Sequence, residues 1–138
     1  TCALPIFNEL GIAQHVRMIG PLHQKIRPCL YGACDVFAMP AIRDGTDIEG
    51  FGIVFLEAAA CGKPVVAGCE GGQVEAVDDG HTGLIVDGSD LAAVSRALGS
   101  LLADASLRQK LGRQGQLKAQ NHDWVQDRKS TRLNSSHW

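Results

Sequence analysis

Short apolar runs that end on proline or glycine, each followed by a helical stretch, constrain this chain more than any other feature. Residues 35–39 run apolar into Pro40, residues 64–67 carry two adjacent valines into Gly68, and residues 82–86 end before Asp87 and Gly88. Runs this short do not make helices. Those around Val65 and Leu84 do not alternate apolar with polar, so they read as strands covered on both faces. A further strand is expected at 15–19, ended by Gly20 and Pro21. Helices are expected between the strands. One spans 24–34, with Pro28 in its first turn, where a missing N–H costs least. One spans 53–61 and is stopped by Gly62 and then Pro64. A short one spans 73–77. Ser89 or Asp90 caps the next, which sets Leu91, Val94, Leu98, Leu101 and Leu102 on one face. The last spans 105–120 and is interrupted by Gly112 and Gly115. This alternation predicts an α/β fold, a parallel sheet with helices on both faces.

The chain's 138 residues suffice for one domain with a real core. Apolar residues at 45% and charged residues at 20% place it among ordinary globular domains and exclude a disordered segment. A net charge of −2 gives no basic footprint, and 5% aromatic residues give no base-stacking platform, so no nucleic-acid partner is expected. No apolar run approaches the roughly 20 residues of a membrane span. The five cysteines are an odd number, mostly in apolar or glycine-rich surroundings, which reads as reduced thiols and a cytoplasmic location. Cys29 and Cys34 have no partners at zinc spacing, so no metal site is expected. Residues 127–138 differ in composition from the rest, and RKSTRLNSSH resembles a translated adapter read-through. The expected organisation is therefore one partial domain at 1–126, with Trp124 packing its end, and a non-native tail at 127–138.

Ligands of such sheets bind beyond the carboxyl ends of the strands. The informative loop there is the one carrying Glu49, Gly50, Phe51 and Gly52 into the helix. Two glycines flank one residue just before a helix start. Free N–H groups and the helix dipole make that spot attractive to a phosphate, and glycine lets a ligand approach. Glu57 follows eight positions after Glu49 and can accept hydrogen bonds from a vicinal diol, as acidic residues do with ribose. The residues alone also allow a plain account: Glu57 an exposed helix residue and Glu49 a dipole partner. The dinucleotide fingerprint fails, because Phe55 stands where a third glycine is needed.

The full string EGFGIVFLEAAACGKPVVA closely resembles the donor-binding motif of family 4 glycosyltransferases of the GT-B fold. HVRMIGPL and ACDVFAMP resemble the family's preceding strands, and GGQVEAVDDGHTGLIVDG the segment that follows, so the resemblance covers roughly residues 11–115. It implies that residues 1–126 are a partial nucleotide-sugar-binding domain, the Rossmann-like C-terminal half of a GT-B enzyme. It implies that Glu57 binds the donor's ribose hydroxyls, and that the main chain of Gly50, Phe51, Gly52 and Ile53 contacts the diphosphate and sugar. Glu49 is then the catalytic-site carboxylate near the transferred sugar, in a positioning or electrostatic role, and the backbone of Leu22 meets the nucleobase. Gly71, Gly72 and Glu75 resemble an element beside the donor pocket, although a tight turn explains them equally.

The resemblance further implies a retaining transferase that moves a hexose from a UDP- or GDP-sugar to a glycan, lipid or small-alcohol acceptor. Residues 43–48 resemble the longer loop of some mannosyl and lipid-directed members, a leaning toward GDP-mannose. No cofactor is implied, since the nucleotide sugar is a substrate. No metal is implied either, and Asp44 and Asp47 do not form an Asp-x-Asp pair. The acceptor domain, its catalytic His, and the Arg and Lys that neutralise the diphosphate are expected to lie outside this chain, which alone is expected to be inactive. Through that domain the cytoplasmic enzyme would meet the inner face of the membrane where its acceptor is a lipid. Arg43 reads as an exposed loop cation, and His15, His23 and His81 lack a carboxylate spaced to orient them. Cys61 and Cys69 read as small buried thiols. The alternatives are a stand-alone nucleotide-binding or interaction module, and another GT-B enzyme such as a nucleotide-sugar epimerase.

Overall fold

A computed structural model describes residues 3–42 and 52–122. A short helix α1 (Leu4–Glu9) and a 3-10 turn (Ala13–His15) precede helix α2 (Arg27–Ala33). Strand β1 (Phe37–Met39), helix α3 (Gly52–Ala60), strand β2 (Val65–Gly68), helix α4 (Gln73–Ala76) and strand β3 (Gly83–Val86) follow, then helices α5 (Leu91–Ala103) and α6 (Ala105–Gln120). The three strands form one parallel sheet in the order β1-β2-β3. Phe37 lies beside Val65, and Val65 beside Gly83. The α/β expectation therefore holds, and its reason is visible in β2. All four of its residues are buried. Val65 and Ala67 pack with Tyr31, Phe55, Leu56, Ala58, Ala76 and Val77 of one layer, on and beside helices α2, α3 and α4. Val66 points the other way, to Ala97, Leu101 and Leu111 of α5 and α6. Successive side chains of a strand leave opposite faces, so a run of adjacent valines suits a sheet covered twice.

Local signals set the ends of α3 and α5. Gly62, at φ +75°, follows α3 in the left-handed region. Its N–H donates to the Ala59 carbonyl at 2.8 Å, and that of Lys63 to the Ala58 carbonyl at 3.2 Å. That pair of bonds is the Schellman closure, which a glycine at this place makes cheap. Of the two expected caps for α5, Asp90 is the one: its side chain accepts from the Ala93 N–H at 3.1 Å. Ser89 instead donates to Asp87 through both its N–H and its hydroxyl. Asp104 caps α6 in the same way, accepting from Leu107.

The structure corrects four expectations. Residues 15–19 form no strand: they pair with none among the described residues, and Met18 and Ile19 are about 60% exposed. An extended segment without a ladder partner leaves its amides to water. Leu91 and Leu102 are exposed, whereas Ala97 and Leu101 carry the buried face of α5. The two leucines sit on the flank of the apolar arc, which the sheet does not reach. Helix α6 runs unbroken through Gly112 and Gly115. Those glycines serve packing: a Cβ on Gly112 would collide with the Gly62 carbonyl oxygen, and one on Gly115 would press on the Ala59 methyl. Cys69 is exposed and Cys61 half-buried, so neither is a plain core thiol. Trp124 and residues 127–138 lie outside the described residues.

Candidate nucleotide-sugar site

The carboxyl ends of β1 and β2 are tied together by one buried side chain. Gln73, the first residue of α4 and 3% exposed, accepts through Oε1 from the Gly68 N–H at 2.6 Å and the Ala41 N–H at 3.3 Å. Its Nε2 donates to the Ala41 carbonyl at 3.2 Å and the Glu70 carbonyl at 2.9 Å. This clamp shapes the glycine-rich loop at 68–72. A Cβ on Gly68 would collide with the Ala41 carbonyl oxygen, which is why the loop can lie so close to the end of β1. The loop in turn meets the start of α3: a Cβ on Gly52 would stand 3.0 Å from the Gly72 carbonyl oxygen.

Glu57 lies in α3 and faces α2. Tyr31 donates its hydroxyl to Glu57 Oε2 at 2.9 Å. Arg27 Nη1 approaches the same oxygen at 3.5 Å, a long contact between groups about one-third exposed. Arg27 and Tyr31 are four residues apart on α2, so they share a helix face and converge on one carboxylate. The Tyr31 ring is buried. It packs edge-on against Phe37 at 5.4 Å between centroids, and Phe37 packs edge-on against Phe55 at 5.7 Å. Burial, reinforced by the Glu57 carboxylate, pushes the Tyr31 hydroxyl up to about 12, so the phenol is a donor at neutral pH. A cleft of about 460 Å³ opens here between α2 and α3, lined by Gln24, Arg27, Pro28, Tyr31, Glu57, Ala60 and Cys61.

The structure thus brings Glu57 into a cleft that Gln24, two residues after Leu22, also lines. Leu22 itself is 36% exposed and does not line the cleft. Gly52 and Ile53 form the first turn of α3, on which Ile53 is half-exposed. Glu49, Gly50 and Phe51 lie outside the described residues, as do Arg43, Asp44 and Asp47. Gly72 caps α4, and Glu75 is exposed in its first turn. His15, His23 and His81 are exposed. No group of three His, Cys, Asp or Glu is placed to hold a metal among the described residues. Sequence reasoning missed Gln24, Arg27, Tyr31 and Gln73. The spacing of Arg27 and Tyr31 was the available signal; their shared target, 30 and 26 residues away, was not.

Comparison with known proteins meets this geometry. A mannosyltransferase of Mycolicibacterium smegmatis, named as GDP-mannose-dependent and acting on phosphatidylinositol monomannoside, is 50% identical over 99 residues, covering 70% of this chain and 26% of the relative. A D-inositol 3-phosphate glycosyltransferase of Salinispora tropica is 45% identical over 124 residues, covering 90% of this chain and 25% of the relative. The chain therefore spans about a quarter of the length of the curated relatives it matches. The solved Anabaena HepE protein, in complex with UDP and glucose, superposes with a TM-score of 0.77 at 28% identity, over 96% of this chain and 35% of that one. No described helix is long and apolar enough to cross a membrane. The family model for glycosyl transferases group 1 matches residues 6–118, and the chain belongs to that family.

Proposed function

We propose that this chain is the donor-binding part of a retaining glycosyltransferase that moves a hexose from a nucleoside-diphosphate sugar to a hydroxyl acceptor. GDP-mannose is the donor, as in the names of the mycobacterial relatives, and UDP-sugars are the runner-up, as in the HepE complex. The observation that carries the reading is Glu57: a carboxylate at a cleft wall, held by Tyr31 through one oxygen, with no hydrogen bond to the other among the described residues. A carboxylate so placed suits a vicinal diol. In this reading Glu57 takes the ribose hydroxyls, and the main chain of Gly50, Phe51, Gly52 and Ile53 takes the diphosphate and sugar. The first-turn amides of α3 suit that role, since they have no intrahelical partner and sit at the positive end of the helix dipole. Glu49 supports the transferred sugar, and the Leu22 backbone meets the base.

The reaction needs no metal and no cofactor in this reading. The acceptor is an inositol phosphate or a phosphatidylinositol glycolipid, the class named in the relatives, and a lipid acceptor brings the protein to the membrane surface. The chain alone does not catalyse transfer, because positive charge that stabilises the leaving diphosphate must come from elsewhere. The test is incubation of the full-length protein with GDP-mannose or UDP-glucose and either acceptor. Sugar transfer with release of the nucleoside diphosphate supports the reading. Absence of nucleotide binding, or transfer by the isolated chain, overturns the corresponding half of it.

A further inference from the structure

Glu57 is held before any ligand arrives. Its Oε2 accepts the Tyr31 hydroxyl at 2.9 Å, and the long Arg27 contact reaches that same oxygen. Oε1 accepts nothing among the described residues. The terminal torsion of a free glutamate is broad, so an unanchored carboxylate samples many orientations. Here the anchor is rigid. Tyr31 is 8% exposed, and its ring stacks edge-on with Phe37, which stacks in turn with Phe55. Phe55 stands two residues before Glu57 on α3. One aromatic row thus fixes the hydrogen-bond donor on α2 and the backbone of the acceptor on α3 relative to each other.

We propose that Tyr31 is a positioning residue for the donor nucleotide: its hydroxyl locks Glu57 Oε2 so that Oε1 is presented to the ribose diol. The proposal rests on the reading of Glu57 as the diol acceptor and adds how that acceptor is oriented. An oxygen with two open lone pairs suits two neighbouring hydroxyls. A carboxylate already ordered loses less rotamer freedom when the ligand binds, so the anchor raises affinity without touching the ligand.

The experiment is calorimetric titration of the full-length protein with GDP and UDP, each beside its 2′,3′-dideoxy analogue. The proteins are the wild type, Tyr31→Phe, Glu57→Ala and the double variant. Phenylalanine keeps the ring in its row, and affinity for the dideoxy analogue reports an intact pocket in the same titration. Tyr31→Phe is expected to weaken the ribonucleotide about tenfold, the order of a hydrogen bond to a charged group, and to leave the dideoxy analogue unchanged. In the Glu57→Ala background it is expected to change neither. Equal weakening of both ligands, or a further loss in the Glu57→Ala background, overturns the positioning role. If Glu57→Ala weakens the ribonucleotide while Tyr31→Phe does not, the positioning role fails and the ribose reading stands. If Glu57→Ala changes nothing, or no nucleotide binds, both fail.

Discussion

Gln73 Oε1 accepts the Gly68 N–H at 2.6 Å, so the first side chain of α4 closes the end of β2. Four backbone groups, two of Ala41 just beyond β1, one of Gly68 in β2 and one of Glu70 in the loop before α4, bond to this buried amide. Gln73→Ala strips the buried Gly68 N–H of its partner, whereas the Ala41 N–H keeps the Met39 carbonyl at 2.7 Å, and neither Ala41 nor Glu70 is buried. Removing one partner of a buried hydrogen bond costs about 1–3 kcal/mol, and the Gly68 N–H is the group orphaned here. We expect a loss of about 1–3 kcal/mol in urea denaturation of the chain, with nucleotide affinity reduced because the loop facing Gly52 is no longer fixed. Unchanged stability would show that water replaces the amide.

Glycines in α5 and α6 should respond in opposite directions. Gly112 faces the Gly62 carbonyl so closely that a methyl group cannot enter. Gly112→Ala must push α6 away from α3, an overpacking cost of about 1–3 kcal/mol. Gly99, exposed in α5, has nothing within 4 Å of a built Cβ. Gly99→Ala should stabilise by about 0.5–1 kcal/mol through helix propensity alone. Paired denaturation midpoints check both signs.

These glycines mark where the sequence is legible and where it is not. Signals that act over a few residues were readable: the Gly62 stop of α3, the Asp90 cap of α5, the doubly covered valines of β2. The apparent break at Gly112 was misread because a glycine that weakens a helix locally can also admit a neighbouring carbonyl, and only the packed structure shows which. Residues 15–19 have a strand's composition, but strand status depends on a partner. At the site, Glu57 could be singled out from its place after a glycine-rich helix start. Its anchor could not, because Tyr31 reaches it through a tertiary contact with no sequence spacing to reveal it.

Tyr31 is the chain's single tyrosine, which makes its titration directly readable. Burial and then the Glu57 hydrogen bond push its hydroxyl up to about 12 from 10.0. The folded state therefore holds the proton more tightly than the unfolded state. Stability from this group is complete below pH 10 and is lost as pH rises from 10 through about 12. Tyrosinate absorbance should rise near pH 12 in the folded chain and near pH 10 in denaturant. Tyr31→Phe should remove this contribution to the alkaline loss of stability. A folded-state midpoint near 10 would mean that the phenol is neither buried nor held by Glu57.

Glu57→Ala tests the site without disturbing the core. The carboxylate and its Arg27 partner are each about one-third exposed, and its Tyr31 partner lines the cleft. Losing such an exposed ion pair costs the fold about 1 kcal/mol or less. On the proposed ribose reading, losing the diol's acceptor costs binding more, about 1.5–3 kcal/mol for a hydrogen bond to a charged group. The expected pattern in the full-length protein is thus a weakened nucleoside diphosphate with a nearly unchanged melting temperature. Glu57→Gln should fall between, because one amide oxygen still accepts while the other donor-facing position becomes an NH2. The decisive comparison is the ribonucleotide against its 2′,3′-dideoxy form. Glu57→Ala should bring the two affinities together, since the residue acts only on the hydroxyls that distinguish them. If the preference for the ribonucleotide survives the substitution, the diol is held by another group, and the cleft beside α2 is not where the ribose lies.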